Sequence, residues 1–213
     1  MSDLEPHVWY TNVDCIVYID DLLLINNYQI EVGFFTSTSN VVLHDIALEK
    51  IEVFFELLMK NCIVIRKEEY DKDQRNLTNN WFMVHELLND QTVAAAIYSK
   101  LISIVGDDLD IQFLRLSSEL GKNIRYTINS ESPELTVLLP DRETWWNDPH
   151  VKFNPWWLRN DTATYDRLIN RDETFQGEIR WEDLFEEALD KAKEMDSKKS
   201  KFKIIKGGKV ETE

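Results

Sequence analysis

The chain predicts an α+β fold: an antiparallel or mixed sheet with helices packed on one face. Three observations predict it. Strand-like segments follow one another directly at both ends of the first 140 residues, segments with helical apolar stripes lie between them, and the turns joining the strands are short. The expected element order is β-β-β-α-β-α-α-β-β-β.

The first strands lie within residues 13–36. Val13 to Ile25 is apolar apart from Asp20-Asp21, and two aspartates suit a tight reversal because Asp tolerates turn conformations and bonds nearby amides. Beyond it Tyr28, Ile30, Val32 and Phe34 alternate with Gln29, Glu31, Gly33 and Phe35, the period of two of a half-buried strand. Asp45 to Asn61 predicts a helix, with Ala47, Ile51, Phe54, Phe55 and Leu58 on one stripe, Asp45 as its cap and Asn61 as its end. Cys62-Ile63-Val64-Ile65 reads as a short buried strand, and Glu68 to Asn80 as an exposed loop. Two helices are expected next. One runs from Asn80 to Asn89 with Trp81, Val84 and Leu88 on one side. The other is capped by Asp90, carries Val93, Ile97, Leu101, Ile104 and Val105, and stops at Gly106. Strands at 110–117, 123–129 and 134–139 then form a meander, joined through Gly121-Lys122 and Glu131-Ser132-Pro133.

After Pro140 the texture changes. The expected organisation is a core domain over 1–140, a Trp-rich wrapping arm over 141–181, a helix over 182–196 and a basic tail over 197–213. The arm holds Trp145, Trp146, Trp156, Trp157 and Trp181, and exposed indoles cost solubility. Two expectations follow: the rings complete the core, or Trp145, Trp146, Trp156, Trp157 and Arg159 form a contact surface for a protein partner or another subunit, because Trp and Arg concentrate at binding hot spots.

Composition narrows the function. The 213 residues are 43% hydrophobic and 30% charged, which excludes a disordered, collagen-like or coiled-coil chain. Lys and Arg number 24 against 39 Asp and Glu, a net charge of −15. The last 17 residues hold six lysines and two glutamates, so residues 1–196 carry −19. Such a body repels nucleic-acid backbone and anionic membrane alike and attracts basic surfaces. Direct nucleic-acid binding is therefore expected only through the tail. Met1 to Pro6 has neither a basic start nor an apolar core, and no apolar run reaches a membrane span, so a cytoplasmic protein with unused sequons at Asn76 and Asn160 is expected. Cys15 and Cys62, each flanked by apolar residues, read as buried thiols in neighbouring strands.

Catalytic motifs are sparse. Cys15 to Ile25, with Tyr18-Ile19-Asp20-Asp21 at its centre, resembles the Tyr-x-Asp-Asp hairpin of reverse transcriptases, in which the aspartates hold the metals that clamp a triphosphate. The likeness spans about 11 residues, and two-metal chemistry needs a further carboxylate from an earlier strand, where only 14 residues precede Cys15. Gly106-Asp107-Asp108 echoes viral RNA polymerases and meets the same objection. Asp107, Asp108 and Asp110 together form a candidate hard-cation site, although they lack the register of an EF-hand. His85-Glu86-Leu87-Leu88-Asn89 has Asn89 where a zinc-protease helix needs its second histidine. There is no nucleophile elbow, phosphate loop or dinucleotide fingerprint, and no cofactor is expected.

The functional expectation is a non-catalytic acidic interaction, regulatory or assembly protein that works through protein–protein contacts, with a protein partner or a second copy of itself. Its Asn-, Lys- and Ile-rich usage resembles that of small phage or viral accessory proteins. Two alternatives stand beside it: a metal-dependent hydrolase using Asp107, Asp108 and Asp110, and an inhibitor that imitates nucleic acid through its acidic body.

Overall fold

The computed structural model describes residues 5–36, 40–66, 69, 81–84, 87–137 and 156–159. All of them belong to the first of the two units into which the chain divides, Met1–Glu178. The expected helix over 182–196, the basic tail and most of the Trp-rich arm, Trp145, Trp146 and Trp181 included, lie outside the described residues, as does His85.

The fold is α+β. Its mixed sheet has six strands among the described residues: β1 (His7–Ile19), β2 (Leu22–Thr36), β3 (Ile63–Arg66), β4 (Trp81–Val84), β5 (Leu109–Ser118) and β6 (Tyr126–Ile128), in the order β4-β3-β1-β2-β5-β6. β1 and β2 form one long hairpin, from His7 opposite Phe34 to Ile19 opposite Leu22. Its two-residue turn places Asp20 and Asp21 at φ of 51° and 63°, the left-handed pair that matches strand twist and that Asp tolerates. The apolar segment after the turn and the alternating segment expected as a third strand are one 15-residue strand, because Asn26 and Asn27 continue the pairing. β5 and β6 extend the sheet antiparallel from β2, whereas β3 and β4 run parallel to β1 on its other side.

Helix α1 (Val41–Val53) starts earlier than its apolar stripe. Val41, Val42 and Leu43 face solvent, so periodicity gives no sign of the first turn, but the Asn40 side chain accepts from the Val42 amide and caps it. The helix then widens into a π-type turn over Phe54–Met59, which turns Phe54, Phe55, Leu58 and Met59 inward together. Asn61, at φ 61°, ends it as expected.

Two expectations are corrected. Trp81–Val84 is a parallel strand and not part of a helix; all four side chains are buried, and a strand buried on both faces reads as a plain apolar run with no period of two to mark it. Glu134–Val137 is a single helical turn, α3, and not the last strand of a meander. Ser132 and Pro133 stand where a helix cap and first residue belong, and the Leu135 amide donates to the Ser132 carbonyl at 3.2 Å. β6 is also shorter than expected, because Lys122 and Asn123 take positive φ in the turn before it.

The inner face of the sheet presents Val13, Cys15, Val17, Tyr28, Ile30, Val32 and Phe34 to α1, the π-type turn and helix α2 (Asp90–Val105), all in one core cluster. Each such buried aliphatic or phenyl side chain stabilises the fold by ~1.5–3 kcal/mol. α2 lies at the centre of this layer. It touches β5, β6, α1, α3 and the short turn Trp156–Leu158, and residues 92–101 are buried all round. Ala94-Ala95-Ala96 keeps the helix thin enough for neighbours on several sides. A smaller cluster of Ile63, Ile65, Trp81 and Met83 lies apart, with Ile16 and Tyr18 packed on it.

The cysteines are free thiols in adjoining strands, as expected. Cys15 Sγ lies 3.7 Å from Cys62 Sγ and donates to the Met59 carbonyl; burial, then the neighbouring thiol, pushes the Cys62 pKa well up, and both side chains are part of the core.

Candidate functional site

The clefts on the described surface include two that hold charged side chains. The first is at the hairpin end, where the start of α2 meets the β1–β2 turn and the loop after β5. It encloses about 220 Å³ and is lined by Val17, Ile19, Asn26, Tyr28, Leu88, Asn89, Asp90, Leu120, Gly121 and Tyr126.

Its charged group is Asp90, the first residue of α2 and only 9% exposed. The helix cap is Asn89 and not Asp90: the Asn89 side chain accepts from the Thr92 amide at 2.9 Å and from its hydroxyl at 3.1 Å. With the cap occupied, the Asp90 carboxylate turns to Ser118, whose Oγ is 2.9 and 2.8 Å from its two oxygens. Ser118 Oγ in turn accepts from the Gly121 amide at 2.9 Å. Gly121 has to be glycine, since a Cβ there would stand 2.0 Å from Asp90 Oδ2. Buried Asn26 accepts from the Leu120 amide at 3.1 Å and bonds the Tyr28 hydroxyl. Burial raises the Asp90 pKa, opposed by the Ser118 hydroxyl, and burial followed by the Asp90 charge raises that of Tyr28. The site is thus a desolvated carboxylate with few donors, between tyrosine rings and aliphatic walls.

Exposed apolar side chains gather at this end of the molecule, on both faces of the hairpin. Leu120 lines the cleft, Leu87 adjoins Leu88, and Leu22 pairs with Ile19 on the cleft side; Leu23, opposite Tyr18, and Ile25, opposite Ile16, alternate to the other face of the hairpin. The Ile124 amide bonds the Gly121 carbonyl. All six are exposed, Ile25 to 82%. The charged residues along the same segments are Asp20, Asp21 and Glu119, with Lys122 the cation among them.

The second cleft, about 230 Å³, lies on the outer face of β1, β2 and β5 between Tyr10, Asn12, Gln29, Glu31, Arg115, Ser117 and Arg125. Glu31 receives Arg115 and Arg125 at 3.2 Å each, and the Arg115 guanidinium lies 4.2 Å over the Phe113 ring. Phe113 fits because Gly33 beneath it has no side chain; a Cβ would come within 2.2 Å of the ring.

The residues singled out from sequence are placed elsewhere. Asp107, Asp108 and Asp110 follow α2, and among the described residues no three His, Cys, Asp or Glu side chains converge as a metal-ligand set. Asp20 and Asp21 are at the exposed hairpin turn, where Tyr18 donates to Asp21 at 2.7 Å. Trp156 and Trp157 are buried, and Trp156 packs edge-on against Phe82 with ring centroids 4.7 Å apart. Arg159 is half-buried at the end of that turn. Beneath them lies Lys100, fully buried, its Nζ donating to the Trp156 carbonyl at 2.6 Å and the Arg159 carbonyl at 3.0 Å. Sequence reasoning missed Asp90, Ser118, Gly121 and Asn26 as a group. The available signal was the doublet Asn89-Asp90: a helix start uses one capping side chain, which leaves the other free for different work.

No protein-family model matches the chain, and no curated protein matches it in sequence. Among the described residues no helix is long and apolar enough to cross a membrane.

Proposed function

We propose that the protein is a non-catalytic, acidic interaction protein that engages a basic protein partner through its hairpin end. The observation that carries this reading is the collection of exposed leucines and isoleucines at the hairpin end, beside a cleft whose one charged lining group among the described residues is a carboxylate. Clustered apolar side chains rimmed by charge favour protein association, and a body at −19 favours a basic mate by long-range attraction.

The test is a photo-crosslinking residue placed at Ile25 and, as a control, at exposed Ile102 on α2. In extract of the native host, the Ile25 probe is expected to label a basic protein that the Ile102 probe does not, and Leu23→Asp is expected to abolish the labelling. The purified partner should then bind the full chain with defined stoichiometry. Equal labelling from both positions, or labelling that survives Leu23→Asp, overturns the reading.

A further inference from the structure

We infer that the hairpin-end cleft is a receptor for a primary ammonium group, presented as the side chain of a lysine on the partner. This rests on the proposed function and adds the group that the partner inserts. The argument begins with proton counting. Ser118 has one hydroxyl proton, yet both Asp90 oxygens lie within hydrogen-bond distance of it, so only one oxygen gains a donor. The nearby Gly121 amide is committed to Ser118 and the Leu120 amide to Asn26. Asp90 is nine-tenths buried, and the described residues offer its carboxylate no donor beyond Ser118, so the second oxygen depends on what enters the cleft. A desolvated carboxylate short of donors beside an open cavity is an acceptor for a cation.

An anion is excluded on the same grounds. The amide end of a helix attracts anions, but here Asn89 fills the cap and Asp90 carries the opposite charge into the cleft. A guanidinium fits less well than an ammonium, because its fork needs both carboxylate oxygens and one is held by Ser118. The walls match a lysine stem: Val17, Ile19, Leu88 and Leu120 are aliphatic and suit a methylene chain, while Tyr28 and Tyr126 offer aromatic rings to the charged head. About 220 Å³ is room for one side chain and not for a folded segment.

The test uses small probes on the full chain, with binding read from amide chemical shifts: Nα-acetyl-lysine amide, its arginine counterpart and the uncharged norleucine counterpart. The lysine amide is expected to bind in the millimolar range and to shift Leu88, Asn89, Asp90, Leu120 and Gly121. Asp90→Asn, which retains a side chain of the same shape, should weaken it at least tenfold. Leu120→Trp, made at the exposed mouth without touching Asp90, should block it. Norleucine amide binding as well as lysine amide, unchanged affinity in Asp90→Asn, no shift at all, or tighter binding of the arginine amide would each overturn the inference. Leu23→Asp separates this inference from the proposed function, since Leu23 is on the other face of the hairpin: it should spare the lysine amide and abolish partner labelling from the Ile25 probe. If the partner is captured but the amide does not bind, the cleft inference fails and the interaction reading stands. If the amide binds but Leu23→Asp leaves labelling intact, the reverse holds.

Discussion

Helix α2 carries two buried charges ten residues apart, and they are treated in opposite ways. Lys100 is wholly enclosed and donates to the Trp156 and Arg159 carbonyls, so its charge is used to hold the turn Trp156–Leu158 against the helix. Asp90 is nearly as buried but has one serine proton for two oxygens, and it looks into a cavity. A buried ion with enough partners acts as a staple, and removing it leaves the partners stranded. A buried ion with too few partners lowers stability while it waits for a ligand. The difference lies in the neighbours, since both residues sit on the same helix.

The largest test of this contrast is Lys100→Ala. It leaves the buried Trp156 carbonyl and the part-buried Arg159 carbonyl without this donor and opens a cavity, so we expect a loss of about 3 kcal/mol in urea unfolding and red-shifted tryptophan emission. Lys100→Met keeps the stem and should recover part of the loss. A cost below ~0.5 kcal/mol for the alanine variant would show that Lys100 is not a staple.

Gly121→Ala comes next. Its Cβ would meet Asp90 Oδ2 at 2.0 Å and Ser118 Oγ at 3.1 Å, so the carboxylate has to leave the serine. We expect a loss of ~1–3 kcal/mol. Adding Asp90→Ala should restore most of it, because the clash is with the carboxylate; additive losses in the double variant would place the strain elsewhere.

The strand pattern and core of this fold were legible where burial is one-sided. Tyr28 to Phe34 alternates because its strand has a buried face and a wetter one, and the stripe from Ala47 to Leu58 is the inner side of α1 and the turn that extends it. Legibility failed where burial is complete. Trp81–Val84 shows no period, and α2 is covered on more sides than its Val93–Val105 stripe suggested, which is how Lys100 escaped notice. The hairpin-end cleft was hidden for another reason: Asn26, Asp90, Ser118 and Gly121 come from distant parts of the chain, and only pairing of β2 with β5 and docking of α2 bring them together.

Asp90→Asn has the opposite sign. The folded carboxyl holds its proton more tightly than the ordinary value of 3.8, so its contribution to stability is full below that pH and is lost as pH rises through the raised value. At pH 7 the wild type therefore bears the cost of an ionised, desolvated carboxylate that asparagine lacks. We expect the variant to be more stable at neutral pH by ~0.5–2 kcal/mol, the range typical when a function-bearing strain is relieved. The gap should close on acidification below the ordinary carboxyl range. A variant less stable than wild type at pH 7 would mean that Asp90, like Lys100, is a satisfied structural charge, and the contrast along α2 would disappear.

The smallest effect is expected on the outer sheet face, where charge is neither buried nor short of partners. Arg125 is 57% exposed and shares Glu31 with Arg115, so Arg125→Ala removes a screened ion pair whose carboxylate keeps a second guanidinium. The expected change is ~0–0.5 kcal/mol, and it should shrink further in high salt. Arg115→Ala should cost somewhat more, about 0.5–1 kcal/mol, because the guanidinium also covers the Phe113 ring that lies over Gly33. Equal costs for the two arginines would mean that the ring stacking contributes nothing. A cost for Arg125 approaching that of Lys100 would mean that exposure does not grade these charges, because the same kind of group would then stabilise the fold equally in water and in the core.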